Sequence, residues 1–299
     1  MPDPPLIVRS GTLEVQLSPS IGGAISSFAW SGTGRRAPIL RESHSPLQNV
    51  LDAASFPLVP FVNRIRGGAF DFRGRQVRLS PNMAGDPSPL HGQGWTSPWR
   101  IETASEAEAV LVFDHQPGEW PWAYRARQHI RLVGDSLCLR LACINLSDEP
   151  MPCGLGIHPY FSCGPESRIQ TFVDHVWTVD EHVLPVERVL ARGRYDISDS
   201  PVCGRGLDNG YDGWSGRALL TDPGWPFEIE LSSRQARFFQ LYSPAKGGIF
   251  VAEPVTHANA ALNQPQQQWA SLGIRILEPG EEMTLDSRIE VQPKDGALG

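Results

Sequence analysis

Residues 127–144 read RQHIRLVGDSLCLRLACI, and the way this stretch is punctuated decides the class of fold. An apolar-rich run over 127–132 is broken at Gly134-Asp135 and resumes over 137–144. Two short runs joined across so small a glycine-containing break form an antiparallel hairpin. Residues 69–72 and 76–79 flank Arg73-Gly74 in the same way and predict a second hairpin. Further strand candidates are 13–17, 110–114, 218–221, 227–231, 238–243, 248–253 and 283–291. Between the runs fall 29 glycines and 27 prolines. No window longer than about three turns keeps helical apolar spacing without one of them intervening, so few and short helices are expected. This many strands cannot stay in one open sheet. The chain is therefore expected to be all-β, a large antiparallel sandwich.

The sequence has 299 residues, and all-β folds of about 200–250 residues commonly form one unit, so a single domain over residues 1–299 is expected. With 40% hydrophobic and 20% charged residues the chain can bury a sizeable core. Its formal net charge of -7 opposes association with nucleic-acid phosphates or anionic membrane surfaces. The expected partner is a neutral or weakly charged small molecule. MPDPPLIVRSG lacks the basic start and apolar stretch of a signal peptide, and no apolar run approaches a membrane span, so a cytoplasmic location is expected. Cys138, Cys143, Cys153, Cys163 and Cys203 are odd in number and contain no CxxC pair. Buried thiols are expected rather than a disulfide framework or a zinc site.

Four segments carry polar residues where a β core would not ordinarily place them. Asn63-Arg64 follows the apolar run 56–62; a guanidinium there suits hydroxyl and ring oxygens, or forms an ordinary surface ion pair. His91-Gly92 precedes Trp95 and Trp99, which offer flat faces to a pyranose or simply pack in a loop. In GLGIHPYF (154–161), Pro159 forces His158 into an extended conformation and holds the imidazole in one direction. Such a histidine is either a directed proton donor, nearly unperturbed in pKa, or a structural residue satisfied by a carbonyl. In GIFVAEP (248–254), Glu253 ends an apolar strand just before Pro254. It either caps a sheet edge or projects into a dry cleft that raises its pKa toward a base's useful range. Asp208-Asn209-Gly210 reads as a turn within 192–216, a Gly-, Asp- and Ser-rich excursion of the length that tends to be functional.

Taken in order, LSPSIGGAISSFAW (17–30), NRIRGGAFDFRG (63–74), LHG (90–92), GIHPYF (156–161), FQLYSP (239–244), AEP (252–254), ALN (261–263) and LEPGEEMTL (277–285) resemble the aldose 1-epimerase family, the galactose mutarotase-like proteins. The resemblance implies a β-supersandwich fold and a cofactor-independent, metal-free isomerase acting on a sugar as monomer or homodimer. It implies Glu253 as catalytic base and His158, in protonated form, as catalytic acid, the two converging from opposite sides of a sugar-sized hollow. Arg64, His91 and Asp208 match residues that hold the sugar, and Asn63 and Gln240 match secondary contacts. YSPAKGG and HGQGWTSPW depart from common family forms, which bears on the substrate more than on the reaction. Two alternatives follow. A hexose-6-phosphate epimerase needs a further cation, for which Arg66 or Arg100 is a candidate. A non-catalytic carbohydrate-binding domain needs aromatic platforms but no acid–base pair.

Overall fold

The computed structural model describes residues 5–32, 34–43 and 46–294. Strands Tyr124–Val133 and Ser136–Asn145 pair from Tyr124↔Asn145 to Val133↔Ser136, leaving Gly134 and Asp135 as a two-residue turn. Gly134 takes φ 56, a conformation glycine reaches without a Cβ clash. Ser136–Asn145 pairs in turn with Glu282–Pro293, whose other edge pairs with Phe227–Ser232. These strands form the centre of a nine-stranded sheet. The second hairpin is present as Ala69–Phe72 and Arg75–Arg78. Among the described residues there is no α-helix, only short 3-10 turns such as Gly94–Thr96 and Ala261–Asn263. No helix there is long and apolar enough to cross a membrane.

An eight-stranded antiparallel sheet faces the nine-stranded one. Its order runs Pro185–Leu190, His175–Val179, Leu207–Asp212, Phe238–Ser243, Ile249–Val255, Gly156–Ile157 and Pro57–Leu58, with Tyr160–Ser162 also pairing with Ile249–Val255. Successive side chains in a strand point to opposite faces. Leu207, Tyr211, Phe239, Leu241, Phe250 and Ala252 accordingly join the main core with Leu139, Leu141, Ile229 and Ile289 of the facing sheet. Fully burying an apolar side chain of this size contributes about 1.5–3 kcal/mol, so this inner face anchors the sandwich. The alternate residues of the same strands, Asp208, Gln240, Tyr242 and Glu253, fall on the other face.

Two punctuation rules fail here for local reasons. Asp208-Asn209-Gly210 is not a turn: it lies inside strand Leu207–Asp212, opposite Tyr242, Leu241 and Gln240. The excursion 192–216 thus returns to the sheet and supplies an interior strand. Nor does Pro254 end its strand, which runs from Ile249 to Val255. Tyr160–Ser162 pairs with residues up to Val251 and Gly156 pairs with Val255, so Pro254 falls at a gap in the neighbouring strand where a missing N–H is tolerated.

Candidate active site

That gap aligns His158 with Glu253. Gly156 pairs with Val255 and Tyr160 with Val251, so position 158 stands opposite position 253 in the same antiparallel register. The outer side of the segment is tied down, with His158 N donating to Phe56 O at 3.1 Å and Tyr160 N to Ala54 O at 2.9 Å. Phe56 stacks on the imidazole at 4.4 Å between centroids and Tyr160 lies tilted beside it at 4.7 Å. The Arg41 guanidinium in turn covers the Tyr160 ring at 3.7 Å. His158 Nε2 comes within 3.5 Å of Glu253 Oε1. The two groups are neighbours on one wall rather than opposed across a hollow.

Burial governs the charge of both. Glu253 is 2% exposed and its Oε2 has no hydrogen-bond partner. Desolvation, assisted by the nearby Asp208, pushes its carboxyl well above the usual carboxylate range, against the pull of Arg64. Desolvation also pushes His158 down to about 3, with Arg41 acting in the same direction. The nearly unperturbed histidine expected from sequence is thus corrected: enclosure by Phe56 and Tyr160 removes the water that would solvate an imidazolium. His158 Nδ1 is likewise without a partner.

Asn63, Arg64 and His91 are aimed by unusual backbone. Asn63 (φ 53) and His91 (φ 59) both adopt the left-handed region, which non-glycine residues occupy at a cost that functional sites commonly carry. They are locked reciprocally: His91 N donates to Asn63 O at 2.9 Å, and Asn63 N donates to His91 Nδ1 at 3.1 Å. Because Nδ1 accepts, the His91 proton resides on Nε2. Burial, with His158, Arg64 and His257 nearby, holds His91 well below the usual histidine range and therefore neutral. Arg64 is not a surface arginine. Its Nε donates to Asp86 Oδ2 at 2.7 Å, with both side chains under a tenth exposed.

The segment following Glu253 clamps this arm. Val62 N donates to His257 Nε2 at 2.9 Å, Arg64 N to Asn259 Oδ1 at 3.0 Å, and Arg66 N to Asn263 Oδ1 at 2.7 Å. His257 Nδ1 donates to Ala258 O at 2.8 Å, which makes this buried histidine structural. Asn63 Nδ2 reaches Gln240 Oε1 at 3.4 Å, and Gln240 Nε2 donates to Asp208 Oδ1 at 2.7 Å. Burial pushes the Asp208 carboxyl up, while Arg64 and the Gln240 hydrogen bond pull it down.

A hollow of about 240 Å³ is lined by Asn63, Arg64, His91, His158, Asp208 and Glu253, and also by Phe56, Trp95, Tyr160 and Tyr242. Gln240 is buried behind it. The structure thus brings together all seven residues singled out from sequence. Trp99 lies in the main core instead, and its Nε1 donates to Gly94 O at 2.8 Å. Arg66 is exposed near Asp180 and Arg100 near Asp114, and neither lines the hollow. Asp86, His257 and Asn259 escape sequence reading because their partners are distant in the chain and, for the last two, backbone groups. The one usable signal was ALN, which contains Asn263. Among the described residues no group of three or more His, Cys, Asp or Glu is arranged to hold a metal ion, and the five cysteines are free.

Comparison with known proteins adds four findings. The aldose 1-epimerase family matches residues 8–290. The uncharacterized protein YphB of Escherichia coli K12 is 32% identical over 292 residues, covering 94% of this chain and 97% of that protein. A solved structure of a putative aldose 1-epimerase from Escherichia coli K12 superposes with a TM-score of 0.88 at 30% identity, covering 97% of this chain and 99% of the other. A galactose mutarotase-like protein from Clostridium acetobutylicum, at 19% identity and TM-score 0.82, shares the fold over 96% of this chain and 95% of its own.

Proposed function

Because the chain belongs to the aldose 1-epimerase family, we propose that it interconverts the α and β anomers of a free aldose by ring opening and closure, with Glu253 and His158 exchanging protons with the sugar. The observation that carries this reading is the 3.5 Å approach of His158 Nε2 to Glu253 Oε1 on the wall of a hollow sized for one sugar ring. Adjacency suits the reaction, because the anomeric hydroxyl O1 and the ring oxygen O5 are bonded to the same carbon. One base and one acid must reach both together.

Ring opening uses the pair as carboxylate and imidazolium. Glu253 removes the O1 proton, His158 protonates O5, and the C1–O5 bond breaks to leave an open-chain aldehyde. The pair is now carboxylic acid and neutral imidazole, the arrangement burial favours. Rotation about C1–C2 presents the other face of the carbonyl. Closure runs the transfers backward: His158 takes the O5 proton and Glu253 returns one to O1. His91, donating through Nε2, and Arg64, held by Asp86, supply donors to sugar oxygens, while Asp208 accepts from a hydroxyl.

A free aldose is favoured over a hexose 6-phosphate because Arg64 is the only lysine or arginine lining the hollow among the described residues. Catalysis is favoured over binding alone because a buried carboxyl group whose Oε2 has no hydrogen-bond partner costs stability that a mere binding platform has no need to bear. Polarimetry on freshly dissolved α-anomers of galactose, glucose, xylose, arabinose and a hexose 6-phosphate tests the proposal. Accelerated rotation with a free sugar is expected; no acceleration with any of them refutes it.

A further inference from the structure

One of the rings that shield His158 is itself gripped by a cation. Arg41 does not line the hollow, yet it holds Tyr160 twice. Its backbone N donates to Tyr160 O at 2.8 Å, and its guanidinium lies 3.7 Å above the centre of the Tyr160 ring. Arg41 Nη2 also donates to Leu51 O at 2.8 Å and to Ala53 O. Leu51 lines the hollow, and the next carbonyl after Ala53, that of Ala54, receives Tyr160 N. One side chain therefore staples residues 51–54 to Tyr160, whose ring lies 4.7 Å from the imidazole of His158.

The staple is costly. Arg41 Nε is buried without a hydrogen-bond partner, and burial pushes the guanidinium below the usual arginine value. An unpaired buried donor on a charged group weakens a fold. An apolar side chain of similar volume would pack on Tyr160 without that cost, so packing alone does not account for the charge.

We propose that Arg41 is a positioning residue for the proton transfers: it presses Tyr160 onto His158 and keeps water from the imidazole while Nε2 stays turned to Glu253. Its part in catalysis rests on the epimerase reading above. The groups around the ring leave Arg41 unopposed. Glu253, at 3.5 Å, is pushed toward its protonated form by burial, and His91, edge-on at 5.4 Å, is held neutral. Burial likewise pushes the Tyr160 hydroxyl up and keeps it protonated. Arg64 and Asp208, which line the same hollow, act on Glu253. The charge of Arg41 thus adds to desolvation in keeping His158 neutral in the free enzyme. Once a proton passes from Glu253 to His158, the imidazolium stands near a cation in a dry pocket. It is then a strong acid toward the ring oxygen O5.

Two measurements test this. Nuclear magnetic resonance of histidine-labelled protein follows the His158 titration without sugar, its signal being the one lost in His158→Asn. Polarimetry across pH gives kcat and KM. In Arg41→Met, His158 is expected to titrate close to the ordinary histidine value of about 6.5, and kcat/KM should gain an inflection there. The value of kcat should fall about tenfold with KM within about twofold. Arg41→Lys keeps the charge and should restore part of both. Tyr160→Leu removes the ring through which Arg41 acts; it should raise the His158 titration too and decides the matter if Arg41→Met does not fold. An unmoved His158 titration in the folded variants overturns the proposal, as does a defect confined to KM. Wild-type protein that turns over no sugar overturns the epimerase reading and the catalytic part, whereas a raised His158 titration in Arg41→Met would still uphold the shielding.

Discussion

His158, in the gap between Gly156–Ile157 and Tyr160–Ser162, stands opposite Glu253 because the flanking pairs share one register, and its Nε2 lies 3.5 Å from Glu253 Oε1. Substituting either should remove chemistry and leave the fold. His158→Asn or Glu253→Gln is expected to lower kcat by about 10²-fold or more, with little change in the far-ultraviolet circular dichroism. A loss of only a few-fold in either variant would remove that residue from the mechanism.

Glu253→Gln should also stabilise the protein. Its carboxyl is raised in the fold, so the folded state binds more protons than the unfolded state above the ordinary carboxylate pKa, and stability falls as pH rises through the folded value. Removing the ionisable group abolishes that loss. A melting temperature about 2–4 °C higher is expected at pH 8, with the difference shrinking toward pH 4. A gain that is the same at both pH values contradicts the assignment.

The histidines act with the opposite sign. His158 is depressed to about 3 and His257 to about 4, so between those values and the ordinary histidine pKa the unfolded state binds more protons. Stability should therefore fall as the solution is acidified below about pH 6.5. Where the protein stays folded, kcat/KM should show no inflection near pH 6.5 from His158, because that imidazole, pushed down to about 3 by burial, does not titrate there. An inflection there that disappears in His158→Asn would mean that the imidazole is solvated.

Asp86→Ala strips a buried arginine of its partner. Breaking such a pair typically costs about 3–5 kcal/mol, visible in urea unfolding. Asp86→Asn keeps a hydrogen-bond acceptor and should be milder. With Arg64 no longer held at Nε, KM should rise about tenfold with kcat less affected, as the proposed role of the guanidinium in holding the sugar requires. A kcat-only defect would instead put Asp86 in the proton transfers.

Gly154 lies against the His257 ring: a Cβ there would fall 2.0 Å from His257 Cδ2. Gly154→Ala should push His257 off Val62 N and loosen the Asn63-Arg64 arm, costing about 1–3 kcal/mol. Val62 amide exchange, measured by hydrogen–deuterium exchange, should quicken. Unchanged protection at Val62 would exclude the coupling.

How far the sequence could be read depended on whether a residue's role is local. Strand Phe238–Ser243 and both hairpins follow from alternation and turn chemistry, which act between neighbours. His158 and Glu253 stood out as polar residues in apolar runs. Asp208-Asn209-Gly210 and Pro254 misled because the rules assume that Gly and Pro interrupt a strand. In the fold, Gly210 sits beside Gln240, where a Cβ would come within 3.1 Å of Oε1, and Pro254 meets a gap. The neutral state of His158 was out of reach, since it depends on Phe56 and Tyr160 enclosing the ring. Asp86 and Asn259 were silent for the same reason: what they hold comes near only after folding.

Strand Glu282–Pro293 lies between Ser136–Asn145 and Phe227–Ser232, in the middle of the nine-stranded sheet. During synthesis the strands on both its sides emerge from the ribosome first and wait with a bare edge each. Until this keystone arrives, the nascent chain exposes two interior edges open to mispairing with other chains. Slow translation through this region, or premature termination before it, would therefore yield aggregates rather than a shortened folded chain.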